Sequence, residues 1–189
     1  METFTSIPKL RFRAPGSLLR GPIHYAIGHC VQGAILVARG AHGICAIFLD
    51  DDAKGLRQQL IQAFPKAALE EAAPSVHDGL GQVISFIDQG AAETLLELDV
   101  GGTPFQQRVW SALCDIPAGQ TRSYTRLARD IGAPNAVRAV ASACAANTLA
   151  VAIPCHRVVR ADGSLSGYRW GVQRKRDLLR REHVFAPGT

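Results

Sequence analysis

The chain has 189 residues, 47% of them hydrophobic and 20% charged, with a formal net charge of +5. This length accommodates one large or two small domains with cores of their own, and the composition is that of an ordinary globular protein. No apolar run approaches the ~20 residues of a membrane span, and the basic stretch Met1–Pro22 lacks the apolar core of a secretion signal, so the expected location is the cytoplasm.

Five cysteines, Cys30, Cys45, Cys114, Cys144 and Cys155, are scattered, odd in number and free of any CxxC pair. That speaks against a disulfide framework or a zinc knuckle and suits a reducing compartment; no metal ligands are expected. The charge is unevenly spread. Residues 1–100 hold 8 Lys/Arg against 11 Asp/Glu, a balance of −3, and residues 101–189 hold 13 against 5, a balance of +8. A basic half on an acidic half is the electrostatic footprint of a nucleic-acid binder, although a solvated basic face gives the same count.

In chain order, residues 1–22 read as a mobile N-terminal extension. His24–Gly28, Ala34–Ala38 and Ile44–Leu49 are short apolar runs punctuated by glycine, which predicts strands joined by tight turns. Leu56–Phe64 and Val76–Ile87 carry helical periodicity, and Thr94–Asp99 offers one more strand. Gly101-Gly102 marks a linker, so residues 23–100 are expected as an α/β domain and 101–189 as a mainly helical one.

The second half opens on Thr103-Pro104-Phe105-Gln106, a capping box with proline at the first helical position. Ser123 caps a helix with Tyr124, Leu127, Ala128 and Ile131 on its apolar face, and Gly132 ends it. Pro134 is expected to open the next helix, with Val137, Val140, Ala141 and Cys144 inward. Two short helices about a glycine-bearing turn form a helix-turn-helix candidate, a pattern that many helical hairpins share.

The chemistry concentrates in Leu149–Val159, LAVAIPCHRVV. Pro154 holds Ile153 extended and so fixes how the Cys155 thiol is presented. Cys155 beside His156 and Arg157 predicts an electropositive setting with a lowered thiol pKa, because those polar neighbours are costly in an apolar core unless paired. The other four cysteines read as inert core residues. Glu182 lies three and four residues after Leu179 and Leu178 on a helix over Gly171–Glu182, hence inward. It either orients His156 or pairs with Arg180 or Arg181 in solvent. Asn147 either caps its helix or ties that helix to the Cys155 segment.

IPCHRVV, with DGSLSGYRWGVQRKRDLLRRE after it, resembles the signature of the O6-alkylguanine-DNA alkyltransferases. AVRAVASACAAN (136–147) and FQQRVW (105–110) are similar to the C-terminal half of Ada-type adaptive-response proteins. The likeness runs from about His24 to His183 and is strongest after Gly101.

The resemblance implies a ribonuclease-H-like α/β domain followed by a helical domain with a helix-turn-helix. The implied activity is single-turnover, irreversible transfer of an alkyl group, mainly methyl, from O6-alkylguanine in duplex DNA (and from O4-methylthymine) to protein cysteine. The chain would work as a monomer, with no cofactor and no obligate protein partner. Cys155 would be the acceptor. His156 would take its proton through a water, Glu182 would hold His156, and Asn147 would organise the hinge. Tyr124 and Thr125 would meet the target nucleotide, Tyr124 donating to the guanine edge. Arg138 would fill the stack left by the flipped base, which must leave the duplex to react. Tyr168, Arg169 and Trp170 would form a lid, where the Trp170 ring either takes up space beside the alkyl group or braces the lid from beneath. A Cys-His-Glu hydrolase and a DNA binder without chemistry are the rival readings.

Overall fold

The computed structural model describes residues 8–71, 74–89 and 96–183. Its contacts divide the chain into two units: one takes the chain through Gly102 together with Thr148–Ala152, the other Thr103–Asn147 and Ile153 onward. Among the described residues the fold is mixed α/β, with a six-stranded sheet, a two-stranded sheet and six helices.

The first unit is built on the apolar runs β2 (Ile23–Cys30), β3 (Gly33–Gly40) and β4 (Gly43–Asp50), an antiparallel meander with two-residue turns. The second turn depends on glycine. Gly43 has φ +139°, and a Cβ there would lie 2.6 Å from the Glu97 carbonyl oxygen. All residues of β3 from Ala34 to Ala38 are buried, as in a strand covered on both faces. Helix α1 (Ala53–Ala63) is capped by the Asp52 carboxylate, which accepts from the Gly55 amide, and packs on β3 and β4; α2 (Pro74–Gln89) packs on β2 and β3. A short β5 (Leu69–Glu71) pairs parallel with β2, and β6 (Glu97–Val100) pairs parallel with β4. Thr94 and Leu95, expected at the start of that last strand, lie outside the described residues.

In the first unit two segments depart from expectation. Lys9–Phe12 is not a mobile extension but an edge strand, β1, parallel to β6. Its alternation is too short and too basic to read as a strand, and what holds it is pairing with β6 plus an ion pair. The Arg13 guanidinium lies 3.2 Å from the Asp99 carboxylate, whose side chain is fully enclosed. The second departure is Thr148–Ala152, expected within the helical part. It belongs to the first unit because the backbone of Ile47 is available to it: Ile47 N donates to Thr148 O (2.8 Å) and Ala150 N donates to Ile47 O (3.0 Å).

The second unit contains α3 (Pro104–Cys114), β7 (Arg122–Ser123), α4 (Tyr124–Asp130), α5 (Val137–Ala145), a single 3₁₀ turn at Cys155–Arg157, β8 (Val158–Val159) and α6 (Val172–Arg181). The Thr103 box is complete, with both reciprocal bonds formed, and Ser123 caps α4 through the Arg126 amide. Helix α5 starts at Val137, three residues after the expected Pro134. Ala136 N bonds to Ala133 O (2.9 Å), which puts Pro134 at the second position of a β-turn. The fixed φ of proline suits that position as well as it suits a first helical turn. The inward residues of α5 are then Val140, Ala143 and Cys144, with Ala141 only half-buried. Trp110 on α3 locks this helix by donating its indole N–H to Ala143 O at 2.9 Å.

Asp99→Ala removes the buried carboxylate that the Arg13 guanidinium faces, so it should destabilise the first unit by about 2–3 kcal/mol. A urea midpoint shift without a change in slope checks this, and a shift below the noise would mean that the β1 contact contributes nothing.

Candidate active site

The approach to Cys155 is a sequence of tight local turns. Ala152 N bonds to Ala150 O at 2.6 Å around Val151, whose φ of +64° is a strained position for a β-branched residue. Cys155 N then bonds to Ile153 O at 2.8 Å around Pro154, with φ −81° and ψ 59°. This inverse γ-turn uses the one backbone angle that proline fixes. The 3₁₀ turn follows, closed by Arg157 N to Pro154 O at 3.0 Å. In three residues the chain sets Cys155, His156 and Arg157, all buried.

His156 and Arg157 converge on Glu182. Nε2 of His156 lies 2.8 Å from Glu182 Oε1, while Arg157 donates Nη2 to Oε1 (2.9 Å) and Nε to Oε2 (3.0 Å), and its Nη1 donates to Ile116 O (2.6 Å). Of the two readings of Glu182, the structure selects the inward one. Burial pushes the Glu182 carboxyl up, but the hydrogen bonds and charges of His156 and Arg157 outweigh it and hold the pKa at about 2. Burial lowers the pKa of His156, against the pull of Glu182, so its imidazole is neutral near pH 7. An ionised carboxylate only accepts, so Nε2 carries the ring hydrogen and Nδ1 keeps its lone pair. Nδ1 is buried and has no hydrogen-bond partner among the described residues.

The thiol differs from expectation. Burial raises the pKa of Cys155 above its ordinary value, although the Asn147 hydrogen bond and the charges of Lys175 and Arg169 oppose the rise. The sequence neighbours do not lower it, because Arg157 is spent on Glu182 and His156 is neutral. What touches the sulfur is Asn147, whose Nδ2 donates to Cys155 Sγ (3.3 Å) and to Ile153 O (2.9 Å). Asn147 is therefore a tie to the Cys155 segment; Ala146 is the cap residue of α5.

The sulfur opens on a cavity of about 500 Å³, lined among others by Tyr124, Cys144, Arg160, Ser166, Tyr168 and Arg169. This is within the size range of small-molecule sites. Tyr168 is half-buried, with its hydroxyl enclosed and without a hydrogen-bond partner among the described residues. Arg169 is exposed and donates to Asn147 O at 3.2 Å. Trp170 is buried at 3% exposure and is not part of the lining. It meets Tyr168 edge-on, with centroids 5.2 Å apart, and so packs against that residue off the cavity lining. Thr125, half-buried on α4, and Arg138, exposed on α5, also lie off the lining.

Sequence reasoning missed Lys175. It is fully enclosed at 0% exposure, and Nζ donates to Val158 O (2.5 Å) and Ser166 Oγ (3.1 Å). The signal was available: Lys175 sits three and four residues before Leu178 and Leu179, on the same stripe that places Glu182.

A family model described as the 6-O-methylguanine DNA methyltransferase DNA-binding domain matches residues 104–184. The crystal structure of Mycobacterium tuberculosis OGT in complex with DNA superposes with TM-score 0.71 at 34% identity, covering 87% of this chain and 96% of that one. The chain belongs to the O6-methylguanine-DNA methyltransferase family. The bifunctional transcriptional activator/DNA repair enzyme Ada of Escherichia coli is 53% identical over 172 residues, 91% of this chain and 48% of that protein. A methylated-DNA–protein-cysteine methyltransferase of Mycobacterium bovis is 55% identical over 92 residues, 49% of this chain and 56% of that one. This family member thus spans about half the length of the curated relatives it matches.

The Glu182 cluster makes the fold acid-sensitive, and the sign follows from the two shifts. His156 is depressed in the fold, so the unfolded chain takes up protons first and stability declines as pH drops below the ordinary His value of 6.5. Glu182 adds a second decline between its ordinary 4.5 and about 2. Urea midpoints at pH 7, 5.5, 4 and 3 should fall throughout for the wild type. Glu182→Gln should be less stable at pH 7 by about 3 kcal/mol and flatter below pH 4.5; equal slopes for both proteins would refute the assignment.

Proposed function

We propose that this protein repairs DNA by accepting the alkyl group of O6-alkylguanine, mainly methyl, and of O4-methylthymine, onto Cys155 in one irreversible transfer. The observation that carries this reading is a cysteine sulfur bonded by Asn147, facing a base-sized cavity, with an ionised Glu182 behind a neutral His156. In the reaction the Cys155 proton passes through a water to Nδ1 of His156, and the imidazolium is stabilised by Glu182. The sulfur attacks the alkyl carbon, the carbon–oxygen bond breaks, and its electron pair leaves on guanine. The Asn147 donor stabilises the sulfur anion that burial otherwise disfavours. No cofactor takes part, because the lesion itself is the alkyl donor.

In the same reading α4 and α5 form a helix-turn-helix that meets duplex DNA, the first unit is ribonuclease-H-like, and the division near residue 100 separates it from the DNA-binding and acceptor domain. Arg138 fills the stack vacated by the flipped base, Tyr124 and Thr125 meet the target nucleotide, and Tyr168 and Arg169 cover it over the Trp170 brace. The protein works as a cytoplasmic monomer with DNA as its partner. Support comes from the +8 balance of residues 101–189 and from the exposure of Arg126, Arg129 and Arg138 on these helices.

The direct test is intact mass spectrometry after incubation with duplex carrying O6-methylguanine. The expected result is one methyl per chain, mapping to Cys155; a methyl on Cys144 or Cys114, or repeated turnover, would overturn the reading. Glu182→Gln should slow transfer by about 10²-fold with DNA affinity retained. Arg138→Ala should impair repair of duplex more than reaction with the free modified base, since only the duplex requires unstacking. Equal losses on the two substrates would remove Arg138 from the flipping step.

A further inference from the structure

Three polar groups connect the interior of the second unit to the cavity wall. Lys175 Nζ donates to Ser166 Oγ at 3.1 Å, and Ser166 Oγ lies 2.8 Å from the Tyr124 hydroxyl. Ser166 and Tyr124 both line the cavity that holds Cys155, while Lys175 is entirely enclosed behind them. Nothing in the assignments above uses Ser166.

The direction of these bonds follows from the donor inventory. An ammonium has donors only, so the serine oxygen is the acceptor toward Lys175. A serine has one hydrogen to give, and accepting from a cation strengthens that hydrogen as a donor. The tyrosine at 2.8 Å is the group placed to receive it. Tyr124 then has its own hydrogen left over, on an oxygen at the cavity surface. Burial holds its pKa above the ordinary value, so it is a neutral donor and not a phenolate.

We propose that Ser166 is a positioning residue for the transfer: it accepts from Lys175 and donates to Tyr124, which turns the Tyr124 hydrogen into the cavity toward a ring-edge nitrogen of the departing purine. This rests on the alkyl-transfer reading. When sulfur takes the alkyl carbon, the electron pair of the broken carbon–oxygen bond spreads over the purine, and the ring nitrogens gain negative charge. A hydrogen-bond donor aimed at one of them stabilises charge that exists only in the transition state and product. The thiol proton held by His156 accounts for the neutral guanine that finally leaves. Without Ser166 the phenol still occupies its place, but its hydrogen is free to turn toward the Lys175 side and away from the base.

The experiment combines side-chain and substrate-atom deletion. Single-turnover transfer is measured on duplexes carrying O6-methylguanine and two analogues. One analogue has CH in place of the six-membered-ring nitrogen that faces the minor groove; the other has CH in place of the imidazole-ring nitrogen that faces the major groove. Ser166→Ala should slow the parent substrate about tenfold, with Ser166→Thr restoring most of the rate, and the slowing should vanish on the analogue that lacks the accepting nitrogen. In a Tyr124→Phe background Ser166→Ala should cost nothing further. Ser166→Gly serves in the same comparisons should the alanine variant fold poorly. Equal slowing on all three substrates means a merely structural serine and overturns the proposal, as does no slowing on any. A wild-type protein that transfers no methyl from the parent duplex would instead refute the alkyl-transfer reading itself.

Discussion

The Glu182 carboxylate is the constraint around which the second unit is organised. A buried carboxylate is costly unless its oxygens are paired, and removing one partner leaves a charge with nowhere to go. Glu182 meets this with a bidentate Arg157 and the Nε2–H of His156. Because both donors come from consecutive residues, the backbone between Pro154 and Val158 must turn tightly enough to send both side chains to one place. That turn is what leaves Cys155, the residue before them, facing another way, into the cavity. Helix α6 is held by the same demand, since the residue at its C-cap is Glu182 itself. The electrostatics and the presentation of the sulfur are one problem with one solution.

Around the sulfur the work is divided by distance in sequence. The residues beside Cys155 are committed to Glu182, and those that stabilise a thiolate, Asn147, Lys175 and Arg169, come from other segments. Adjacency in a motif therefore said which residues share a site but not what each does there. Lys175 shows how far a helical stripe extends this reading: Lys175, Leu178, Leu179 and Glu182 lie on one face, and the two polar members end up behind the cavity and behind the histidine.

Much of the architecture was legible in the sequence. Glycine punctuation marked the three meander strands, and the Thr103 and Ser123 caps fixed the starts of α3 and α4 because the cap is a local interaction between residues three apart. What was illegible depends on pairing. Lys9–Phe12 becomes a strand only because β6 and Asp99 receive it, and Thr148–Ala152 joins the first unit only because Ile47 offers its backbone. Pro134 failed as a helix marker because one fixed φ serves two structures. The acidity of Cys155 was misjudged, since basic neighbours lower a thiol pKa only where they face it, and desolvation is invisible in a linear motif. That the Trp170 ring packs edge-on against Tyr168 and off the cavity lining depends on tertiary packing that the linear motif does not carry.

The enclosure of Cys155 has a bearing on how such a molecule survives until it is used. On the proposed single-turnover reading the protein is consumed by its own reaction, so every encounter with peroxide, a disulfide or a stray electrophile that spends the sulfur would be a loss of the whole chain. Those reagents attack thiolates at exposed sites. With Cys155 4% exposed and its proton held by burial, the resting protein offers them a poor target. On that reading reactivity is conferred by what enters the cavity, and the store of unspent protein keeps.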